Sequence, residues 1–346
     1  MLAAMHKELH ARVGELSGGV VKSIYFGGGT PSLLSGQEIQ SFIEAVSAMT
    51  ELSKDAEITL EANPDDLMSE KLQELAQTKV NRLSIGVQSF FTVDLKWMNR
   101  AHHAEQAKES IQLAQQHGFK NITIDLIYGS PTTTNEHWQE NLKIWHELNL
   151  PHLSAYCLTV EQNTALHHAI KKGLTQPPKE KKAVEQFEIL LDFCAHHEID
   201  AYEISNYAKD GNHAKHNSTY WFGKPYVGIG PSAHSFDGNN IRRWNVANNQ
   251  KYIKSIAEHQ QYWDEETLNE NDRINEYLMT RLRTKWGITK SDFVNQFGDG
   301  KWPLVANEFE RLVREKVVVE QDENYVLSRK GKFVADHVIR TLLLVS

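Results

Sequence analysis

At 346 residues, 40% of them hydrophobic and 24% charged, the chain is long enough to bury one large core and a smaller companion. A net charge of −8, with acids and bases interleaved, leaves no basic groove set with aromatics, which argues against nucleic acid as a partner. The opening MLAAMHKELHARVGEL lacks the apolar core and cleavage site of a signal peptide, and no segment approaches the ~20 apolar residues that span a bilayer, so the expected compartment is the cytoplasm.

The first predicted element is a helix beginning at the first residue, with Leu2, Met5, Leu9, Val13 and Leu16 spaced along one apolar face. No strand precedes it. In a barrel of strand–helix units a helix follows a strand, so this reads as a unit without its strand or, alternatively, as an N-terminal helix closing the barrel floor. Short β-rich runs follow: VVKSIYF (20–26), EITLEAN (57–63), RLSIGVQS (82–89), NITIDLIYG (121–129), HLSAYCL (152–158) and AYEISNY (201–207). Amphipathic stretches such as GQEIQSFIEAVSAM (36–49) and AEQAKESIQLAQQHG (104–118) separate them. The alternation predicts an α/β fold with parallel strands and helical crossovers, wound into a partial (β/α) barrel. From Trp263 the rhythm changes to helices at NENDRINEYLMTRLRT, SDFVNQFG and LVANEFERLVRE. VVVEQDENYVLS then reads as a hairpin turning at Glu323-Asn324. The expected division is therefore a barrel of residues 1–262 and a small winged-helix-like domain of residues 263–346. Its acidic helices favour a packing or lid role over DNA binding.

Gly27, Gly28 and Gly29 follow the first predicted strand, on the face where parallel α/β folds bind ligands. Bare backbone there can approach a ligand closely, although one glycine suffices for a tight turn. Other strands end at that face in Glu61 and Asn63, Gln88, and Asp125. Taken singly, each could merely cap the next helix. Recurring at strand ends, they predict convergent polar groups around one pocket, with Glu61 suited to an ammonium or ribose hydroxyls. Cys157 and Cys194 are the only cysteines, too few for a disulfide framework or a Cys-ligated metal site, and both read as core thiols.

In this order and spacing, YFGGGTPSLL, LEANPDDL, RLSIGVQSF, LKWMNRAH and ITIDLIYGSP resemble the radical S-adenosylmethionine (SAM) enzymes of the oxygen-independent coproporphyrinogen III oxidase group, nearly end to end. The resemblance implies Gly28, Gly29, Thr30 and Glu61 as SAM contacts, with Gln88, Arg100 and Asp125 completing the pocket. Within AKHNSTYWFGKPYVGIGPSAHSF (214–236), His216-Asn217-Ser218-Thr219-Tyr220-Trp221 resembles the HNxxYW pattern of HemW-type haem chaperones. An imidazole flanked by aromatic rings suits a porphyrin as axial ligand and stacking wall, which implies His216 at the haem iron beside Tyr220 and Trp221. A lone histidine among 17 would otherwise read as a loop residue bonded to backbone. The following VGIGPSAHSF is also family-like, without an evident role.

The family also carries a Cys-x3-Cys-x2-Cys loop after its first strand, whose thiolates hold a [4Fe–4S] cluster. This chain has no such loop. Together with the absent strand, that is expected of a chain lacking about thirty residues, natural loss of the cluster being the alternative. As it stands, the chain is expected neither to assemble the cluster nor to cleave SAM. Three functions compete: a haem-binding chaperone handing haem to acceptor proteins, respiratory haem proteins among them; an oxygen-independent coproporphyrinogen III oxidase; and a degenerate barrel serving only as an interaction surface. The HNxxYW motif favours the first. No feature of the sequence sets an oligomeric state.

Overall fold

The computed structural model describes residues 1–16 and 19–344, and the side chain of Leu16 lies outside the described positions. α1 (Leu2–Arg12) comes first, followed by β1 (Val20–Phe26), α2 (Gly36–Met49), β2 (Glu51–Ala62), α3 (Ser69–Ala76), β3 (Arg82–Gln88), α4 (Thr92–Trp97), α5 (Ala104–Gln116) and β4 (Asn121–Tyr128). Next are α6 (Asn135–Glu147), β5 (His152–Cys157), α7 (Ala165–Lys171), α8 (Glu180–His196), β6 (Asp200–Ala201), β7 (Asn206–Ala208) and α9 (Lys215–Trp221). The strands to this point form one sheet in the order β1-β2-β3-β4-β5-β7-β6. From β2 to β5 it is parallel, with Thr59 opposite Arg82, Leu83 opposite Ile122 and Ile124 opposite Leu153. Among the described residues β1 and β6 are the outermost strands of this sheet, as in a partial barrel.

Two strand expectations need correction. β2 starts at Glu51, six residues before EITLEAN, because a hydrogen-bonding neighbour extends a strand beyond its own apolar run. AYEISNY is not one parallel strand: it breaks into β6 and β7, which pair antiparallel, and β7 runs antiparallel to β5. Local side-chain bonds break it. The Glu203 carboxylate accepts from the Ser205 N–H and the Asn206 amide, and Tyr207 Oη donates to the Ile204 carbonyl. Such bonds offer the backbone an alternative to the ladder.

The parallel strands alternate instead of being apolar throughout. Ile58 and Leu60, Leu83 and Ile85, Ile122 and Ile124, and Leu153 are buried on one face, with α8 packed on β4 and with Trp138 and Trp145 of α6 in the same core. The alternate positions are polar and also buried: Glu57, Thr59, Arg82, Ser84, Thr123, His152 and Ser154. Several of them are satisfied across the strands, whereas the Thr59 hydroxyl has no hydrogen-bond partner. Arg82 Nη1 donates to Asn121 Oδ1, Thr123 Oγ1 lies 2.6 Å from His152 Nδ1, and His152 Nε2 lies 2.8 Å from Tyr202 Oη. Burial pushes His152 well below its ordinary pKa, so the imidazole is neutral within this network. A period-two pattern in parallel strands thus gives the sheet one oily face and one polar face, on which a ligand can be addressed.

The rest of the chain comprises β8 (His234–Phe236), β9 (Ile241–Asn245), α10 (Asn249–Ala257), β10 (Trp263–Thr267), α11 (Glu270–Arg281), β11 (Ile288–Thr289), α12 (Lys290–Phe297), α13 (Pro303–Arg314), β12 (Val318–Gln321), β13 (Asn324–Leu327), α14 (Arg329–Phe333) and α15 (Ala335–Leu342). β10-β9-β8 and β11-β13-β12 are separate antiparallel sheets. The second hairpin turns at Asp322-Glu323, one residue before the expected pair: Gln321 pairs with Asn324, and both turn residues have positive φ, 50° and 61°. Met1–Lys22, Ser41–Ala56 and Lys215–Ser346 form one compact unit; Ser23–Gln40 and Glu57–Ala214 form the other.

α1 packs with α10, around a cluster of Ala4, Tyr252, Ile256 and Tyr262. Its buried stripe departs from the expected apolar face. Leu9 and Val13 are buried, but so are Glu8 and Arg12, while Leu2 and Met5 are only partly covered.

Candidate functional site

The three glycines after β1 are explained by Glu61, at the end of the neighbouring β2. Tyr25 Oη donates to Glu61 Oε1 at 2.7 Å, and the Gly28 N–H donates to Oε2 at 3.2 Å. A Cβ on Gly27 would lie 2.5 Å from Tyr25 Cε1 and 2.7 Å from Glu61 Oε1, so any side chain there displaces the carboxylate. Gly28 has φ +78°, the left-handed region that favours glycine. Gly29 has open space around it and lines a cleft. Each glycine therefore answers a different requirement. Beyond them the chain makes a short turn, Pro31–Leu33, held by Ser32 Oγ donating to Asp66 Oδ2 at 2.6 Å.

The cleft has a volume of about 140 Å³ and is lined by Gly29, Thr30, Glu61, Asn63, Ser84, Gly86, Gln88 and Asp125, among others. β3 reaches it through a bulge: Ile85 lies opposite Ile124, but the next paired residue is Gln88, opposite Leu126. Gln88 takes φ 68°, and its amide folds over Gly86, where a Cβ would lie 2.9 Å from Nε2. Burial pushes the Asp125 carboxyl up to about 7. A hydrogen bond from Ser154 opposes the rise, the charge of Glu61 adds to it, and the guanidinium groups of Arg100 and Arg82 oppose it. Near neutral pH the cleft thus holds two acidic side chains of which Asp125 is poised between its forms.

Of the expected SAM contacts, Gly29, Thr30, Glu61, Gln88 and Asp125 line this cleft, and Gly28 adjoins it through its N–H. Arg100 is not among the lining residues. It is exposed, follows Asn99 at φ 54°, and acts on Asp125 through its charge. Sequence reasoning missed Tyr25, Ser84 and Gly86. Parity was the available signal, since 84, 86 and 88 share one face of β3 and Tyr25 stands two residues before Gly27.

The HNSTYW residues form the short helix α9. His216 Nε2 lies 2.8 Å from Tyr220 Oη with the rings at 88°, and Tyr220 meets Tyr226 edge-on at 4.8 Å between centroids. Burial pushes His216 down to about 4, so its imidazole is neutral at pH 7, and pushes Tyr220 up to about 12. Trp221, the last residue of α9, is half-buried. Phe222 stacks at a tilt on Trp286, 4.9 Å between centroids, under the guanidinium of Arg281.

The glycines of VGIGPSAHSF now have a structural reason. A Cβ on Gly228 would lie 2.1 Å from the His234 carbonyl oxygen, and Gly230 has φ +107° with Met5 against it. Glu8 fixes this loop from α1, accepting from the Gly230 N–H at 2.8 Å, from Asn245 Nδ2 at 2.7 Å and from Tyr252 Oη. Arg12 balances its charge at 3.1 Å and donates to the Gly228 carbonyl and to Ser235 Oγ.

No group of three or more His, Cys, Asp or Glu side chains suited to a metal ion occurs among the described residues. Cys194 is buried as expected, but Cys157, at the end of β5, is exposed. The residues present therefore fit SAM, through the carboxylates and bare backbone of the cleft, and do not fit a [4Fe–4S] cluster. Among the described residues no helix is long and apolar enough to cross a membrane.

Residues 6–144 match the model of the radical SAM superfamily, and residues 268–334 that of the HemN C-terminal domain. The chain is 34% identical to the heme chaperone HemW of Lactococcus lactis, over 94% of this chain and 85% of that protein. It is also 34% identical to heme chaperone HemW of Bacillus subtilis, over 99% and 90% of the two chains. Among solved structures, coproporphyrinogen III oxidase (HemN) from Escherichia coli superposes with a TM-score of 0.83 at 21% identity, over 99% of this chain and 82% of that one, a likeness of fold. Near-complete coverage at this identity makes the chain a member of the HemW haem chaperone family within the radical SAM superfamily.

Proposed function

We propose that the protein binds haem at α9 and passes it to haem-accepting proteins, respiratory haem proteins among them, in the cytoplasm. The observation that carries the reading is the paired His216 and Tyr220 on the helix that ends at Trp221, in a chain alike over nearly its whole length to haem chaperones. The neutral His216 imidazole supports a place at the haem iron, since only an unprotonated nitrogen can ligate metal. In this reading SAM occupies the cleft, held by Gly28, Gly29, Thr30, Glu61, Gln88 and Asp125, with Arg100 contributing charge. SAM offers an ammonium and a sulfonium to the carboxylates and ribose hydroxyls to the strand-end groups. The barrel of residues 1–262 carries both sites, and residues 263–346 form the winged-helix-like companion.

The test is a titration of the purified chain with haem. A Soret band that survives gel filtration with the protein, weakens in His216→Ala and moves to an added apo-haemoprotein is the expected result. A band indifferent to His216→Ala removes the motif from the reading.

A further inference from the structure

Asp125 stands at one end of a polar row that crosses the sheet. In register, Asp125 of β4 lies opposite Ser154 of β5, and Ser154 lies opposite Asn206 of β7. Ser154, Asn206 and Glu203 are all buried. The row has a direction, and Glu203 sets it. Its carboxylate accepts from Asn206 Nδ2 and, at 3.0 Å, from the Ser205 N–H. A carboxylate holding two such donors is favoured in its ionised form, which accepts only. The Asn206 amide therefore turns its nitrogen to Glu203 and its oxygen to Ser154, whose hydroxyl donates to Oδ1 at 2.8 Å. A flipped amide would set Oδ1 against the carboxylate with no proton between them. A serine hydroxyl has one proton, so with that proton on Asn206 it turns lone pairs toward Asp125. Glu61, in the same cleft, is met the opposite way, because Tyr25 Oη and the Gly28 N–H both donate to it.

Resting on the reading of the cleft as a SAM site, we propose that Glu203, Asn206 and Ser154 are positioning residues that present Asp125 with an acceptor, so that Asp125 rests as a carboxylic acid and releases its proton when a cationic ligand enters. The step balances without a co-reactant. The Asp125 O–H bond breaks, the proton leaves to solvent, and Ser154 turns its own hydrogen from Asn206 Oδ1 to the new carboxylate, with no electron transferred. Ionisation of Asp125 thus costs the bond between Ser154 and Asn206, which Glu203 keeps the amide from replacing by a flip. The other groups that face Asp125 are Tyr25 of β1, Glu61 of β2, Arg82 of β3, Arg100, and Tyr156 of β5. Glu61 favours its acid form and the two arginines its ionised form, while burial acts in the same direction as the relay. Two acids of one cleft therefore differ in kind: Glu61 carries a standing charge, and Asp125 a charge that the ligand calls up.

The test titrates Asp125 in the full chain without ligand, by carbon NMR of protein labelled at the aspartate carboxyl carbon, the signal being identified by its loss in Asp125→Asn. Ser154→Ala removes the acceptor and is expected to make Asp125 about tenfold stronger as an acid, moving its midpoint to lower pH. Asn206→Ala frees the Ser154 proton for the carboxylate and is expected to move the midpoint the same way. Ser154→Thr keeps the hydroxyl and is expected to hold the wild-type midpoint, with the folding of every variant verified by circular dichroism. A midpoint that rises or stays in Ser154→Ala overturns the inference, because Ser154 would not then be the acceptor of the Asp125 proton. An unmoved midpoint in folded Asn206→Ala overturns it as well, and Ser154→Ala decides alone where Asn206→Ala fails to fold. With SAM added at mildly acid pH, calorimetry in two buffers is expected to show less proton release from Ser154→Ala than from the wild type. A wild-type chain that binds no SAM fails differently: it overturns the reading of the cleft, while the ligand-free titration still decides the relay.

Discussion

Two glycine-rich loops of this molecule are clamped by the same chemistry and end in opposite conditions. At Gly27–Gly29, Glu61 accepts from a glycine N–H and a tyrosine hydroxyl; at Gly228–Gly230, Glu8 does the same with Gly230 and Tyr252. The difference is the cation. Arg12 is built in beside Glu8, and the pair is sealed from solvent, whereas among the described residues no lysine or arginine pairs with Glu61, which opens onto the cleft. A clamp carrying its own counter-charge is scaffold. A clamp left without one keeps its carboxylate open to a cationic ligand, and the motif alone does not distinguish the two.

The strongest way to break this comparison is to remove each carboxylate in turn. Glu8→Ala leaves Arg12 buried and the Gly230 N–H and Tyr252 hydroxyl without their acceptor, and is expected to destabilise the protein by about 3–5 kcal/mol in chemical denaturation. Glu61→Ala opens onto solvent and is expected to change stability far less, while weakening SAM binding by about 1.5–3 kcal/mol, measured by equilibrium dialysis, because a charge-assisted hydrogen bond to the ligand is lost. If Glu61→Ala melted as early as Glu8→Ala, or bound SAM as well as the wild type, the assignment of scaffold and site would collapse.

Gly27→Ala sharpens the comparison within one loop. The new methyl group meets Tyr25 and Glu61 inside contact distance, so a cost of about 1–3 kcal/mol in stability is expected together with weaker SAM binding. Gly29→Ala meets nothing and should leave the melting curve in place. Equal melting curves for the two variants would mean that Gly27 has slack that its surroundings do not show.

Much of this was legible beforehand, and the remainder follows a pattern. Alternation in ITLE, RLSIGVQ and TIDLIY marks strands with one polar face, and the strand-end residues Glu61, Gln88 and Asp125 do converge on one cleft. Interactions between segments distant in sequence, or between side chain and backbone, left no periodic trace. Glu203 breaks AYEISNY through bonds to its near neighbours, and α1 buries Glu8 and Arg12 because a loop more than two hundred residues away needs an acceptor for its N–H groups. Tyr25 and Ser84 were within reach of parity counting from Gly27 and Gln88. Arg100 was taken from a motif, and motifs do not record which side chains line a cavity.

The smallest effect separates the two acids of the cleft by pH. Burial raises Asp125 to about 7, so in the folded protein it stays protonated across a range where the unfolded chain has already ionised it. The folded state then holds the extra proton, and this group contributes stability that is fully present below about pH 4 and is lost as pH rises through about 7. Ligand binding runs the other way. A cation in the cleft favours ionised Asp125, so binding of SAM at pH 6 should expel a proton and binding above 7 should not, and the affinity should rise modestly between pH 5 and 7. Asp125→Asn should flatten that profile and abolish the proton release, read calorimetrically in two buffers of different ionisation enthalpy, while Glu61→Ala should weaken binding at every pH and, by removing a charge that raises Asp125, move the profile to lower pH without flattening it. A wild-type profile already flat from pH 5 to 7 would mean that Asp125 does not sense the ligand's charge, leaving Glu61 as the carboxylate that recognises it.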